Sequence, residues 1–313
     1  MLSIDIKTNP DLYVDYRKGL KFLRTIKEED HSYPEEVITF HLYTEVKTPK
    51  ELLAIKSYLA TQNLDKTKLI VWSDYDISQQ ENIQPYKDLI DLRVYDPKEL
   101  AKGTPLEGVT SHLSPGGDHN HWMSSGIMRF LVLYKFGGIY FDMDMVLLRD
   151  FKPILNQEFA YQWGSSTDFA KARRWESDCH GPCAAMLGAV KGGQFIEDCV
   201  KRLIITPATG GTCYDEDMLG YVYADRPFTV FPSTFFNTEW LMSKTDKPES
   251  ERLESCWFDA PIDGDDDLFE GAFAWHWHNS SNKSKDIVQG SKFDALNNKM
   301  DDLINHRNIL RIK

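Results

Sequence analysis

The run Leu133-Tyr134-Lys135-Phe136-Gly137-Gly138-Ile139-Tyr140-Phe141-Asp142-Met143-Asp144 holds the end of a helix, a stop and a strand. Upstream, Trp122, Met123, Ile127, Phe130, Leu131 and Tyr134 recur as the apolar positions of a helix. Asp118 can open that helix, because its carboxylate accepts hydrogen bonds from the first free N–H groups. Gly137-Gly138 ends it, since glycine takes the left-handed conformation that closes a last turn. Ile139-Tyr140-Phe141 then starts a strand that runs into Asp142 and Asp144, and Met145 to Leu148 continues in extended form.

Outward from this run, strands alternate with helices. Glu36–Tyr43, Lys68–Trp72 and Leu89–Tyr95 read as strands rich in β-formers, and Pro49–Thr61 reads as a helix with Leu52, Ile55 and Leu59 on one face. Downstream, Ala184–Val190 reads as a strand, Gln194–Ile205 and Asp215–Tyr223 as helices, and Phe228–Phe231 and Gly271–Trp277 as late strands. Phe293–Leu310 is an amphipathic helix with Leu296, Met300, Leu303 and Ile304 facing inward. This alternation means an α/β sheet, in which ligands bind beyond the carboxyl ends of the strands. With no internal repeat and no long linker, the expectation is a short helical prelude over residues 1–35 and one catalytic domain over 36–313.

Composition narrows the classes. A formal net charge of −12 without Lys/Arg clusters argues against nucleic acid, whose binding needs concentrated positive charge. No apolar run reaches the about 18 residues of a membrane helix, and the first residues do not form a signal peptide. Two settings stay open: a cytoplasmic protein, or the soluble catalytic domain of an anchored enzyme. The cysteines at 179, 183, 199, 213 and 256 are odd in number and scattered, which fits reduced thiols. Cys179-His180-Gly181-Pro182-Cys183 lacks the second ligand pair that a zinc site needs.

On an extended backbone, residues two apart point the same way, so Asp142 and Asp144 would present both carboxylates to one side. Two like charges at a partly buried strand end need a cation or a donor to relieve them. Manganese and magnesium take oxygen ligands and often use only one or two carboxylates, leaving the rest of their shell to phosphates and water. The pair therefore suits a divalent metal bridging to a diphosphate.

The run Ser125-Gly126-Ile127-Met128-Arg129 followed by Leu133 to Asp144 resembles the signature of the DXD sugar-binding glycosyltransferases, the group of the α-1,4-galactosyltransferases and yeast-type α-mannosyltransferases. The resemblance implies a GT-A fold: a Rossmann-like mixed sheet flanked by helices, closed by a C-terminal helix. It implies transfer of a hexose from a nucleotide sugar, UDP-linked ahead of GDP-linked, to a glycan or polysaccharide acceptor, with retention of configuration and with Mn2+ or Mg2+. Asp142 would then hold the donor ribose and assist the metal, Asp144 would ligate it, and Arg129 would contact the donor. Gly137 and Gly138 would let the backbone pass close to the ligand. Ser125 is a further donor contact, because the family aspartate beside it is Gly126 here, and either Ser125 or Asp118 would replace it. In Ala274-Trp275-His276-Trp277-His278, His276 matches the family histidine that completes the metal site, with His278 in second place.

Three further positions come from the residues themselves. Tyr43 ends the first strand, where a base could stack, and Trp72 ends the second, before Ser73-Asp74; aromatics at strand ends serve equally as core. Asp217, in the acidic cluster Asp215-Glu216-Asp217, is a candidate for catalysis or acceptor orientation, although acids at a helix start also answer the helix dipole. Two rival readings remain: a degenerate member that binds a nucleotide sugar or glycan without transfer, and a haloacid-dehalogenase-type phosphatase using Asp142-Met143-Asp144-Met145-Val146.

Overall fold

The computed structural model describes residues 2, 4–109, 121–155, 157–164, 166–170, 181–205, 214–238, 241, 258 and 270–307, with side chains from 125 and 217 onward in the helices that begin at 121 and 214. Asp118, Cys179, His180, Cys213, Cys256, the Asp263–Asp267 run and the side chains of Trp122, Met123, Asp215 and Glu216 lie outside the described residues. The strands are β1 (Ile38–Tyr43), β2 (Thr67–Ser73), β3 (Asp91–Val94), β4 (Gly138–Asp142), β5 (Met145–Leu147), β6 (Phe159–Gln162), β7 (Pro182–Ala189), β8 (Thr229–Phe231) and β9 (Ala274–His276). The helices are α1 (Tyr16–Leu23), α2 (Pro49–Thr61), α3 (Pro97–Ala101), α4 (His121–Phe136), α5 (Gln194–Ile205), α6 (Tyr214–Asp225) and α7 (Lys292–His306), with a helical turn at Asn279–Asn282.

Seven strands form the main sheet in the order β3-β2-β1-β4-β7-β6-β8. β3, β2, β1 and β4 run parallel, β7 runs against β4 and β6, and β8 is parallel to β6. The chain lays β2 and β3 on one side of β1 and returns with β4 on the other. That reversal opens a crevice at the carboxyl ends of β1 and β4, where Tyr43 and Asp142 are register partners.

Alternation along the strands divides the core into two layers. Phe40, Leu42, Ile139 and Phe141 face α2, α7 and the small β5–β9 sheet, whereas Tyr43, Trp72 and Tyr140 face α4, α5 and α6. Leu12, Tyr13, Leu20 and Leu23 from the N-terminal segment join the first layer, and the Tyr13 hydroxyl donates to the Val230 carbonyl at 2.7 Å. Among the described residues, no helix is long and apolar enough to cross a membrane.

The expected extension of the fourth strand through Met145 is broken. Met143 and Asp144 form a turn after Asp142, and β5 leaves the main sheet to pair antiparallel with β9, Met145 opposite His276. The break gives Asp144 backbone partners different from those of the main sheet. It also brings a segment more than a hundred residues downstream beside it.

The glycines before β4 stop the helix as expected and also make room for backbone. Gly137 stops α4 at φ 67°, its N–H donating to the Leu133 carbonyl at 2.8 Å. Gly138 has φ 94°, and a Cβ there would lie 1.9 Å from the Thr39 carbonyl oxygen. The close approach seen here is to the chain's own backbone at the start of β4, while Asp142 ends that strand.

Candidate functional site

Three elements converge at the crevice: α4, the end of β4 with its following turn, and β9. Arg129 lies on α4, 5% exposed, and its Nη2 donates to Asp142 Oδ1 at 3.1 Å and Oδ2 at 3.4 Å. Its guanidinium carbon sits 5.0 Å from the centre of the Tyr140 ring, and the Tyr140 hydroxyl donates to Asp142 Oδ1 at 2.7 Å. Burial pushes the Asp142 carboxyl up to about 6, against the pull of Arg129 and with a further push from the Asp144 charge. Asp142 is thus held by this chain's own donors.

Asp144 has other partners. Its Oδ2 accepts the Asn279 backbone N–H at 2.7 Å and lies 3.2 Å from His276 Nε2. Burial pushes this carboxyl up, but His276, the Asn279 N–H and His278 together hold it below the ordinary carboxylate range. Backbone pairing sets the geometry, since the Trp277 N–H donates to the Asp144 carbonyl at 3.0 Å. The second carboxylate oxygen, Oδ1, is buried with no hydrogen-bond partner among the described residues.

His276 and His278 stack with ring centres 3.9 Å apart, so they lie on one side as expected. They are not equivalent. His276 turns Nε2 to Asp144 and Nδ1 to the Tyr161 hydroxyl at 2.8 Å. His278 has left-handed backbone at φ 52°, and its Nε2 is engaged by the Asn237 side-chain amide at 2.9 Å. Burial pushes the His278 imidazole well below its usual range.

A divalent cation fits Asp144 and His276. A buried carboxylate oxygen without a partner costs free energy unless something positive meets it, and a carboxylate beside an imidazole nitrogen is a donor set that manganese accepts. Among the described residues no three His, Cys, Asp or Glu side chains form a preformed metal cluster. A site of one carboxylate and one histidine, completed by phosphate and water, asks for no third protein ligand.

The remaining expected residues are distributed unevenly. Tyr43 reaches the crevice, but its hydroxyl donates to Asp74 at 2.6 Å and its ring meets Tyr95 edge-on at 5.9 Å. Trp72 is 5% exposed; its indole N–H donates to His41 Nδ1 at 3.3 Å, and its ring packs by Phe136 and under Arg93. In this arrangement the Trp72 ring packs in the core. Ser125 is half-buried on α4, its carbonyl 3.4 Å from Arg129 Nε. Asp217 is buried in the first turn of α6, which packs on β7.

Tyr140, Tyr161, Asn237 and Asn279 were not singled out in the sequence. Tyr140 had a signal, because it lies two residues before Asp142 on the same strand face. Asn279 acts through its backbone N–H, which no side chain advertises.

Comparison with known proteins bears on the family and the fold. Residues 49–160 match the family described as glycosyltransferase sugar-binding region containing DXD motif, a stretch that includes Arg129, Asp142 and Asp144. No curated protein matches the chain in sequence. The glycosyltransferase GlyE of Streptococcus pneumoniae TIGR4 superimposes with a TM-score of 0.50 at 10% identity, covering 87% of this chain and 63% of GlyE. The bifunctional glycosyltransferase WbbM in its apo form gives a TM-score of 0.50 at 10% identity, over 86% of this chain and 50% of WbbM. Galactosyltransferase LgtC, in complex with donor and acceptor sugar analogues, gives 0.48 at 12% identity, over 84% and 96%. At such identities the likeness is one of fold, and the fold is that of the GT-A glycosyltransferases. The resemblance read from Arg129 to Asp144 holds, since those residues lie within the stretch 49–160 that matches this family.

Proposed function

We propose that this chain transfers a hexose from a nucleotide-diphosphate sugar to a hydroxyl of a glycan or polysaccharide, with retention of configuration and with Mn2+ or Mg2+ bound by Asp144 and His276. The observation that carries this reading is the Asp144 carboxylate, with one buried oxygen lacking a partner among the described residues and the other 3.2 Å from His276 Nε2. A cation held there supplies positive charge where the departing diphosphate gathers negative charge.

The chain's residues have separable tasks. Arg129 and Tyr140 hold Asp142 in place, ready to accept from a ribose hydroxyl of the donor. Arg129 adds a fixed positive charge close to where phosphate would lie. Tyr43 and Asp74, joined at the end of β1, border the nucleotide side of the crevice. Ser125 is a donor-sugar contact, and Asp217 orients the acceptor. The acceptor hydroxyl attacks from the face the diphosphate leaves and passes its proton to the departing phosphate oxygen. A UDP-sugar is favoured over a GDP-sugar.

The fold speaks against a haloacid-dehalogenase phosphatase, as does the engagement of Asp142 by Arg129 and Tyr140, which a covalent nucleophile would have to break. The experiment is a screen of nucleotide sugars, read by thermal stability and nucleotide release, with Mn2+ and with chelator. A ligand at about 100 times its dissociation constant adds about 2.7 kcal/mol of apparent stability. Manganese-dependent stabilisation and turnover of one UDP- or GDP-sugar, lost in Asp144→Ala, is the expected result. Stabilisation without turnover would favour a non-transferring binder, and no response to any donor would overturn the proposal.

A further inference from the structure

The hydrogen bonding of His276 continues past the ring. Tyr161 on β6 is fully buried, and its hydroxyl lies 2.8 Å from His276 Nδ1. Across the sheet, Tyr161 is the register partner of Cys183 on β7, a buried thiol, and the hydroxyl hydrogen-bonds that thiol as well. A chain of contacts therefore runs Cys183–Tyr161–His276–Asp144, from the middle of the sheet to the orphaned carboxylate oxygen.

We infer that Tyr161 is a positioning residue for the metal-binding histidine, and that Cys183 lets it serve both protonation patterns of that ring. The inference rests on the proposed metal site at Asp144 and His276. A neutral imidazole carries one proton, on Nδ1 or on Nε2. Without a cation, Nε2 keeps the proton and donates to Asp144 Oδ2, so Nδ1 needs a donor, and the phenol supplies one. With a cation on Nε2, that nitrogen must present a lone pair and the proton sits on Nδ1, which then needs an acceptor. The phenol oxygen is that acceptor, and its own hydrogen turns to the Cys183 sulfur. One ring N–H bond breaks and the other forms, Nε2 giving its proton to water and Nδ1 taking one from water, so the ring stays neutral while the phenol hydroxyl rotates.

Only a hydroxyl meets both demands, because it donates and accepts. Burial keeps the Tyr161 phenol well above its usual range, so it remains protonated and able to do both. A hydrogen-bonded partner on the distal nitrogen also fixes the angle of the ring, and losing such a partner typically costs about 10- to 100-fold in metal affinity.

The test compares wild type, Tyr161→Phe, His276→Ala and Cys183→Ala in the full chain. Mn2+ binding is read from the electron paramagnetic resonance of the free ion, with and without UDP, and the His276 tautomer from 15N NMR with Mg2+ or chelator. Tyr161→Phe is expected to weaken Mn2+ binding about 10-fold or more and to lose the wild-type change from the Nε2–H to the Nδ1–H form. Cys183→Ala keeps the phenol's partner in the metal-free state, so it should alter the tautomer only when metal is present. A folded Tyr161→Phe that binds Mn2+ as wild type does, while His276→Ala does not bind, overturns the inference and leaves the metal site standing. If wild type and His276→Ala bind Mn2+ equally poorly, the metal site itself fails and the inference with it. Should Tyr161→Phe not fold, Cys183→Ala decides: an unchanged metal-bound tautomer and affinity would overturn the relay.

Discussion

Arg129 and Asp142 form an ion pair at 3.1 Å in which the arginine side chain is 7% and the aspartate side chain 24% exposed. Its energetics lie in what each partner does alone. A buried pair adds little net stability over apolar residues, but removing one member strands the other, at roughly 3–5 kcal/mol. Arg129→Met should therefore destabilise the fold by about that amount and push the Asp142 carboxyl, already raised to about 6, higher still. The double variant Arg129→Met/Asp142→Asn should recover much of the stability and none of the transferase activity. Denaturant unfolding of the singles and the double checks this; additive losses would show that the pair does not couple.

Gly138 yields a sharper structural expectation. Its φ of 94° and a would-be Cβ 1.9 Å from the Thr39 carbonyl oxygen leave no room, since the obstacle is backbone in the adjacent strand. Gly138→Ala should lose more than about 3 kcal/mol or fail to fold. Gly103 is the control: its φ is 73° with nothing within 4 Å of a Cβ, so Gly103→Ala should lose only about 1–2 kcal/mol. Equal losses would mean that conformation, and not crowding, governs Gly138.

The contrast between Asp142 and Asp144 shows what the sequence could carry. Helix α4, its glycine stop and the strand behind it follow from local residue chemistry, and the structure has them where spacing puts them. The turn at Met143-Asp144 does not follow, because it is imposed by the pairing of β5 with β9, whose partner segment lies more than a hundred residues away. Period-two alternation put both carboxylates on one side, whereas their separate partners, Arg129 for Asp142 and His276 for Asp144, follow from long-range pairing. Trp72 was ambiguous for a related reason: a ring at a strand end is core or contact according to what the next layer brings, here Phe136 and Arg93. His276 was legible through its motif, but Tyr161 and Asn279 were not, since their roles exist only once distant strands meet.

His41 gives stability a pH dependence. It is fully buried on β1, with Nε2 3.1 Å from the Gly137 carbonyl and Nδ1 accepting from Trp72, so the ring is neutral with its proton on Nε2. Burial lowers its pKa from 6.5 to about 3. As pH falls below the unfolded value, the unfolded chain takes up a proton that the folded chain refuses, and stability drops between about 6.5 and 3. Above that window the group contributes no pH dependence. His41→Gln should flatten this slope while lowering stability at neutral pH. Unfolding free energies across the window check it, and an unchanged slope would assign the acid sensitivity to other groups.

Lys50 links the stability of the core to the candidate metal site. It is 6% exposed at the start of α2, and its Nζ donates to the carbonyls of Asn282, Lys283 and Lys285 at 2.8, 3.0 and 2.6 Å. It also lies 5.6 Å from the centre of the Trp277 ring. These carbonyls close the helical turn whose first residue, Asn279, gives its N–H to Asp144. Burial lowers the Lys50 pKa, yet three carbonyls and two aromatic faces reward the ammonium form. Lys50→Met keeps the length of the stem and removes every donor, leaving carbonyls unsatisfied at about 1–3 kcal/mol each where water cannot reach them. The expected outcome is a destabilised chain in which Asn279 no longer holds Asp144 in register, so Mn2+ binding weakens more than Tm alone would predict. Lys50→Arg should not restore it, because a planar fork cannot direct donors at three carbonyls around one point. Mn2+ titration of both variants, at a temperature where each is folded, checks the coupling; wild-type affinity in a destabilised Lys50→Met would confine this lysine to the core.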